Sequence, residues 1–237
     1  VKDENAGDIT KGGRCDGSEE KPYEISCIED LVVLSNMTNG KGIKLENGKA
    51  VTITSKNVFT NKYIILTKNL NFKSKYSYND STRTDFGNLN NDDTDGNSLI
   101  TEMTTGTGFI PIADYAGNFD GREHTIANIY INALEGDKTS KALIKNATKN
   151  ASIMNLCVTG TVKSEWQAAG IVAYGVNNGE IKIINCINKA NITGKNMVGG
   201  IAASYMKIIE NCTNYGNVEI TGSEYRICWY WGNNRSR

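Results

Sequence analysis

Asn155-Leu156-Cys157-Val158-Thr159-Gly160-Thr161-Val162 decides the architecture, because the chain repeats its pattern twice more. The second copy is Asn185-Cys186-Ile187-Asn188-Lys189-Ala190-Asn191-Ile192, and the third is Asn211-Cys212-Thr213-Asn214-Tyr215-Gly216-Asn217-Val218. The copies begin 30 and then 26 residues apart. Self-similarity at that period marks stacked supersecondary units, each too small to bury an apolar face alone. In each copy a short apolar strand ends at Asn, Gly or Ala turns the chain, and a second strand follows. A small-residue strand comes next, Ala169-Gly170-Ile171-Val172-Ala173 or Val198-Gly199-Gly200-Ile201-Ala202-Ala203. Two or three short strands per turn, with small residues at the corners, predict an all-β fold: a right-handed parallel β-helix, or solenoid. In that register Leu156, Cys186 and Cys212 share one interior column. Asn155, Asn185 and Asn211 form an amide ladder at a bend.

Working outward, alternating apolar residues at Val51 and Ile53, then Ile64, Leu66, Leu70 and Phe72, predict half-buried strands. Strand character returns at Phe109-Ile110-Pro111-Ile112 and over residues 126–131. Residues 73–98 are rich in Asn, Asp, Ser, Thr and Gly and form a long polar insertion. Further upstream, Ser26-Cys27-Ile28-Glu29 has the capping-box form. Ile28, Leu31, Val32 and Ser35 follow at helical spacing, and Asn39-Gly40 supplies a stop. This predicts a short amphipathic helix that caps the open end of the core. The chain then divides into a polar linker or tail (1–22), the helix with the first β-helix turns (23–135), and the repeats (136–237), which become irregular after residue 222.

The chain has 237 residues, enough for one large all-β domain or two small ones. Its 26 basic and 26 acidic residues leave no net charge, which gives no electrostatic case for nucleic acid or an anionic membrane. The densest basic stretch, residues 68–75, is interrupted by Asn and Ser and reads as a solvated strand face. No apolar run approaches the roughly 20 residues that span a bilayer. The polar start, Val1-Lys2-Asp3-Glu4-Asn5, lacks the form of a secretion signal and predicts a mature form or an internal fragment. With 24 Gly and 2 Pro, the turns fall to Gly and Asn, both tolerant of positive φ.

Candidate sites are few. His124 is the only histidine, so a zinc site of the His-Glu-x-x-His type is excluded within the chain. It reads as part of a tight turn beside Asp120-Gly121. Asn91-Asp92-Asp93-Thr94-Asp95-Gly96, with Glu102 at the twelfth place, partly resembles a Ca²⁺ loop. Oxygen ligands would come from Asn91, Asp93, Asp95 and Glu102. Against this, Asn replaces the first Asp, Ser98 sits where an apolar residue belongs and no flanking helices are evident, so a solvated Asp/Asn loop is the preferred reading of the stretch. No other cofactor is suggested. The six cysteines include no Cys-x-x-Cys pair. Cys186 and Cys212 read as buried thiols one strand apart, while Cys15 and Cys27 would pair only in an oxidising compartment. Asp120 with Glu123, or Glu180 with Glu210, could serve as carboxylate pairs for glycoside cleavage, but a chain with 26 acidic residues offers such pairs by chance. The sequon Asn146-Ala147-Thr148 carries little weight in so Asn-rich a chain.

Gly117-Asn118-Phe119-Asp120-Gly121-Arg122-Glu123-His124-Thr125-Ile126-Ala127-Asn128-Ile129 resembles the Phe-Asp-Gly-x-x-His-x-Ile-x-Asn-Leu segment that precedes bacterial GLUG-motif surface repeats. The likeness extends over roughly residues 22–222. There are departures: Ala173 and Ala203 replace the final Gly of the Gly-Leu-x-Gly core that names the motif, and Lys141-Ala142-Leu143 stands where a Gly-Leu-Phe turn is often found. After Gly222, Tyr225-Arg226-Ile227-Cys228-Trp229-Tyr230-Trp231 stands where another Gly-Gly-Ile strand belongs; an aromatic cap and a shifted reading frame both account for it. The resemblance implies an extracellular or cell-surface address, and a non-catalytic stalk or adhesive module that meets host or cell-wall glycan or protein. Such repeats also occur beside secreted zinc proteases that cut immunoglobulin A. The alternative is a β-helix carbohydrate-active enzyme or an accessory domain of a secreted protease.

Overall fold

The computed structural model describes residues 5–46, 49–72 and 105–222, and in it the repeats stack as parallel strands. The first face is a six-stranded sheet in the order β1 (Tyr23–Ile25), β4 (Tyr63–Leu66), β6 (Asn118–Asp120), β9 (Ser152–Met154), β13 (Lys182–Ile184), β17 (Ile208–Glu210). The second runs β5 (Leu70–Asn71), β7 (Thr125–Asn132), β10 (Cys157–Lys163), β14 (Ile187–Gly194), with β18 (Thr213–Asn214) and β19 (Val218–Ile220) both pairing β14. The third holds β8 (Ile144–Ala147), β12 (Val172–Gly175) and β16 (Ala202–Ser204), beside the corner pair β11 (Ala168–Ala169) and β15 (Val198–Gly199). This is a parallel β-solenoid. Ile183 pairs with Ile153 on one side and Ile209 on the other, so each sequence repeat is one turn.

Alternation along the strands sends every second side chain inward. Ile64, Phe119, Ile153 and Ile183 stack under the first face, and Leu70, Ile126 and Val158 under the second, each at most 3% exposed. Burial of each such side chain contributes roughly 1.5–3 kcal/mol.

The helix, α1 (Ile28–Asn39), lies between β1 and β4, so the solenoid begins before it. It ends as the sequence predicts. Gly40, at φ 69°, lets its own N–H reach Met37 O and the Lys41 N–H reach Asn36 O. Its start and its faces differ from expectation. Cys27 is the N-cap residue and makes no side-chain cap bond. Asp30 reaches back instead, accepting from the Ser26 N–H at 2.8 Å and the Ser26 hydroxyl at 2.9 Å. Nor is the helix amphipathic: it is buried on nearly all sides, including Asp30, Asn36 and Thr38.

Residues 5–22, read as a polar tail, help to cover it. Ala6, Ile9 and Cys15 are buried, the Gly7 N–H donates to Asp30 Oδ1 at 2.8 Å, and Lys11 Nζ meets Asp30 Oδ2 at 2.7 Å. The segment looks like a linker because its polar groups serve its own turns. Asp8 alone accepts from Thr10 N, Thr10 Oγ1 and Gly12 N. On another side of the helix, Ser35 Oγ donates to Ile110 O, Asn39 Nδ2 donates to Pro111 O, and Thr38 Oγ1 accepts from Ala113 N. Phe109 to Ile112 forms a single bridge in place of the expected strand, Ile112 pairing Ile144 to add a position to the third face. Val51 belongs to an antiparallel hairpin of β2 (Ile43–Glu46) and β3 (Lys49–Thr52), outside the parallel stack. Among the described residues no helix is long and apolar enough to cross a membrane. The calcium-like loop with Asn91, Asp93, Asp95 and Glu102, and the aromatic stretch after residue 222, lie outside the described residues.

Candidate functional site

The first Asn of each repeat sits at a left-handed bend, with φ of 52° at Asn155, 53° at Asn185 and 51° at Asn211. Asn is among the few side chains that tolerate this region, and its amide can both donate and accept. Asn185 Nδ2 donates to Asn155 Oδ1 at 3.1 Å, and Asn155 Nδ2 to Asp120 Oδ1 at 2.9 Å. The expected ladder thus forms between Asn155 and Asn185, and a carboxylate ends it.

A second ladder was not foreseen. Asn188 and Asn214, three residues after those bends, point into the core and are 0% and 4% exposed. Asn188 Nδ2 donates to Asn214 Oδ1 at 2.7 Å and to Ala190 O at 3.0 Å, while its Oδ1 accepts from Ala190 N at 3.1 Å. Asn214 Nδ2 donates to Gly216 O at 2.8 Å. Val158 holds the same position one turn earlier. Space for the amides comes from the small-residue strand: a Cβ on Gly170 would lie 2.2 Å from Asn188 Oδ1, and one on Gly200 2.3 Å from Asn214 Cγ. The available signal was Asn-Cys-x-Asn at inward spacing, a polar residue where alternation demands an apolar one.

The Asp120-Gly121-Arg122-Glu123-His124 segment is a tight turn. Arg122 and Glu123 have φ of 47° and 63°, and His124 N donates to Gly121 O at 2.8 Å, the geometry of a type I′ turn. Asp120 Oδ1 also accepts from Arg122 N at 2.8 Å. Asp120 is therefore held by the turn and the ladder. Glu180 meets Lys207 at 3.4 Å on the surface. Glu210 pairs with Ile184 at the far end of β13, whereas Glu180 precedes the start of that strand, so the two acids are not brought together. Among the described residues no cluster of three or more His, Cys, Asp or Glu could hold a metal ion.

The five described cysteines are free thiols, Cys15 and Cys27 included. Leu156 and Cys186 are buried in one column, and the Cys186 N–H donates to the Sγ of half-buried Cys212 at 3.4 Å. Hydrogen bonding from Cys186 draws the Cys212 thiol below its usual range against the opposing effect of burial; Cys186 is pushed up by its bond to Cys212 and by burial. Since the thiolate is the nucleophile, iodoacetamide should alkylate Cys212 well ahead of Cys186 in the folded chain, with its rate rising at a lower pH than that of an ordinary thiol. Peptide mapping showing equal modification of the two would contradict this arrangement.

A groove of about 440 Å³ opens beside the third face, lined by Lys56, Asp114, Lys138, Lys145, Asn146 and Trp166 among others. Tyr174 on β12 also lines it; it stands between Asn146 and Ser204 in the strand register and packs edge-on against Tyr205 at 5.6 Å. Trp166 is 39% exposed, and its backbone is fixed by donation to Ser164 Oγ at 3.0 Å, with Ser164 in turn donating to Thr139 O at 3.1 Å. The rim loop is fastened by Asp137, which accepts from Thr139 N and Oγ1 and pairs with Lys141 at 2.7 Å. Burial raises the Asp137 carboxyl, but these bonds outweigh it and hold it at about 2. Lys56 Nζ bonds Asp114 at 2.6 Å, which, with the Asn146 amide and against partial burial, lowers that carboxyl. Asn146 Nδ2 donates to Asp114, while its buried Oδ1 has no hydrogen-bond partner among the described residues. Sequence reading missed the groove, because its residues span positions 56 to 174 and share no motif.

No family model, curated protein or solved structure matches this chain.

Proposed function

We propose that this chain is a non-catalytic module of a bacterial cell-surface or secreted protein, a stiff β-solenoid segment that presents ligand-binding groups on its outer faces. The observation that carries this reading is where the polar side chains of the repeats go. Asp120, Asn155, Asn185, Asn188 and Asn214 all bond to one another or to the backbone of their own turns. Side chains spent on holding turns rigidify the stack, and these five are committed to structure instead of being poised as acids or bases. Partners then meet the outward positions and loops, as is usual for solenoids. The partner is a host or cell-wall glycan or protein. An antibody raised against residues 105–222 should label intact, unpermeabilised cells that make the protein. Labelling only after permeabilisation would count against a surface role.

A further inference from the structure

We infer that the groove lined by Lys56, Asp114, Lys138, Lys145, Asn146 and Trp166 is a binding site for an acidic polysaccharide, one whose sugar rings carry carboxylates. The inference rests on the surface-module reading and gives that module its ligand class. The chain as a whole is neutral, yet the groove gathers three lysines around one carboxylate. Lys56 is committed to Asp114 at 2.6 Å. Lys138 and Lys145 have no ion pair among the described residues; Lys145 acts on Asp114 only through space, so the groove keeps a positive excess for an anionic partner. An ammonium that meets a carboxylate at a partly covered site forms a charge-assisted hydrogen bond, stronger than a neutral one.

Trp166 offers an aromatic ring at the groove edge, 39% exposed, on a backbone already fixed by Ser164. A rigid aromatic surface next to polar groups is what a sugar ring requires, with its C–H face on the ring and its hydroxyls at the edge. Thr139 and Ser140 offer hydroxyl oxygens as acceptors along the same wall, their protons being committed to Asp137 and Gln167. Preorganisation reduces the entropy lost on binding: Thr139 is tied to Asp137, and Ser140 Oγ to the buried Gln167 at 2.9 Å. Nucleic acid fits less well. Its affinity comes from neutralising many phosphates in a row, and two available lysines beside a single exposed Trp provide no such track.

The test is titration calorimetry on the full chain with a hexamer of galacturonic acid at low salt. Maltohexaose serves as the neutral comparator and oligothymidylate as the nucleic-acid comparator. Binding of the hexuronate that weakens with salt is expected, with little or no heat from the other two. Trp166→Ala and Lys145→Gln should each weaken it at least about tenfold; Lys145→Gln, at a residue with no ion pair among the described residues, should leave thermal unfolding unchanged and so separates binding from stability. The inference is overturned by absence of hexuronate binding, by equal binding of either comparator, or by variants that bind like the parent. Surface labelling of cells alongside a silent groove would remove the ligand assignment and leave the surface module standing. A binding groove on a protein found only inside cells would remove the module reading.

Discussion

Gly170→Ala should lower the melting temperature by about 6–12 °C, from a loss of at least about 3 kcal/mol. The added methyl would lie 2.2 Å from Asn188 Oδ1, 2.4 Å from Asn188 Cγ and 2.7 Å from Gly200 O. Asn188 cannot swing aside at little cost, because three hydrogen bonds hold its amide in a site with no exposure. Displacing it strands buried donors and acceptors at roughly 1–3 kcal/mol each. Asn188→Ala alone should also destabilise, since it leaves Asn214 Oδ1 and the polar groups of Ala190 without their partner. The two changes act on one contact, so the double variant should lose less than the sum by about 1 kcal/mol or more. Recovery stays partial because Gly200 O is untouched. Additive losses in thermal or denaturant unfolding would show that the glycine is not there to accommodate the amide.

Lys11→Met is the second large effect, at about 3–5 kcal/mol. Lys11 and Asp30 form an ion pair at 2.7 Å with side chains 3% and 0% exposed. Removing the ammonium leaves a carboxylate sealed over the helix N-terminus, supported by Gly7 N and Ser26 but stripped of its counter-charge. Coupling with Asp30→Asn should recover part of the loss, since a neutral amide is less costly to bury unpaired. Lys56→Met breaks a pair of comparable geometry at a surface position, 56% and 33% exposed, and should cost less than about 1 kcal/mol. If Lys11→Met unfolds like Lys56→Met, residues 5–22 are not part of the cooperative unit.

These residues mark the boundary of what could be read in advance. The parallel stack and its turn length were legible because alternation and the Asn bends are local. Asn155, Asn185 and Asn211 each bend the chain by their own φ tolerance, whatever surrounds them. The end of the helix was legible for the same reason at Asn39-Gly40. Its beginning was not, since the carboxylate that serves it is Asp30, whose other partners are Gly7 and Lys11. A segment rich in Gly and Asp scores as a tail on composition alone, yet here that polarity is consumed in its own turns and in one buried pair.

By itself, then, the sequence determined that the chain folds as a β-solenoid whose turns follow the repeats, because periodicity and backbone tolerance belong to residues singly. Tertiary structure alone decided which polar residues enter the core, what covers the helix, and where a groove forms. Steric clearance and hydrogen-bond satisfaction are properties of pairs. Asn188 is admissible inward only because Gly170, 18 residues earlier, carries no Cβ. Lys56, Asp114, Lys145 and Trp166 become one surface only when successive turns bring them side by side.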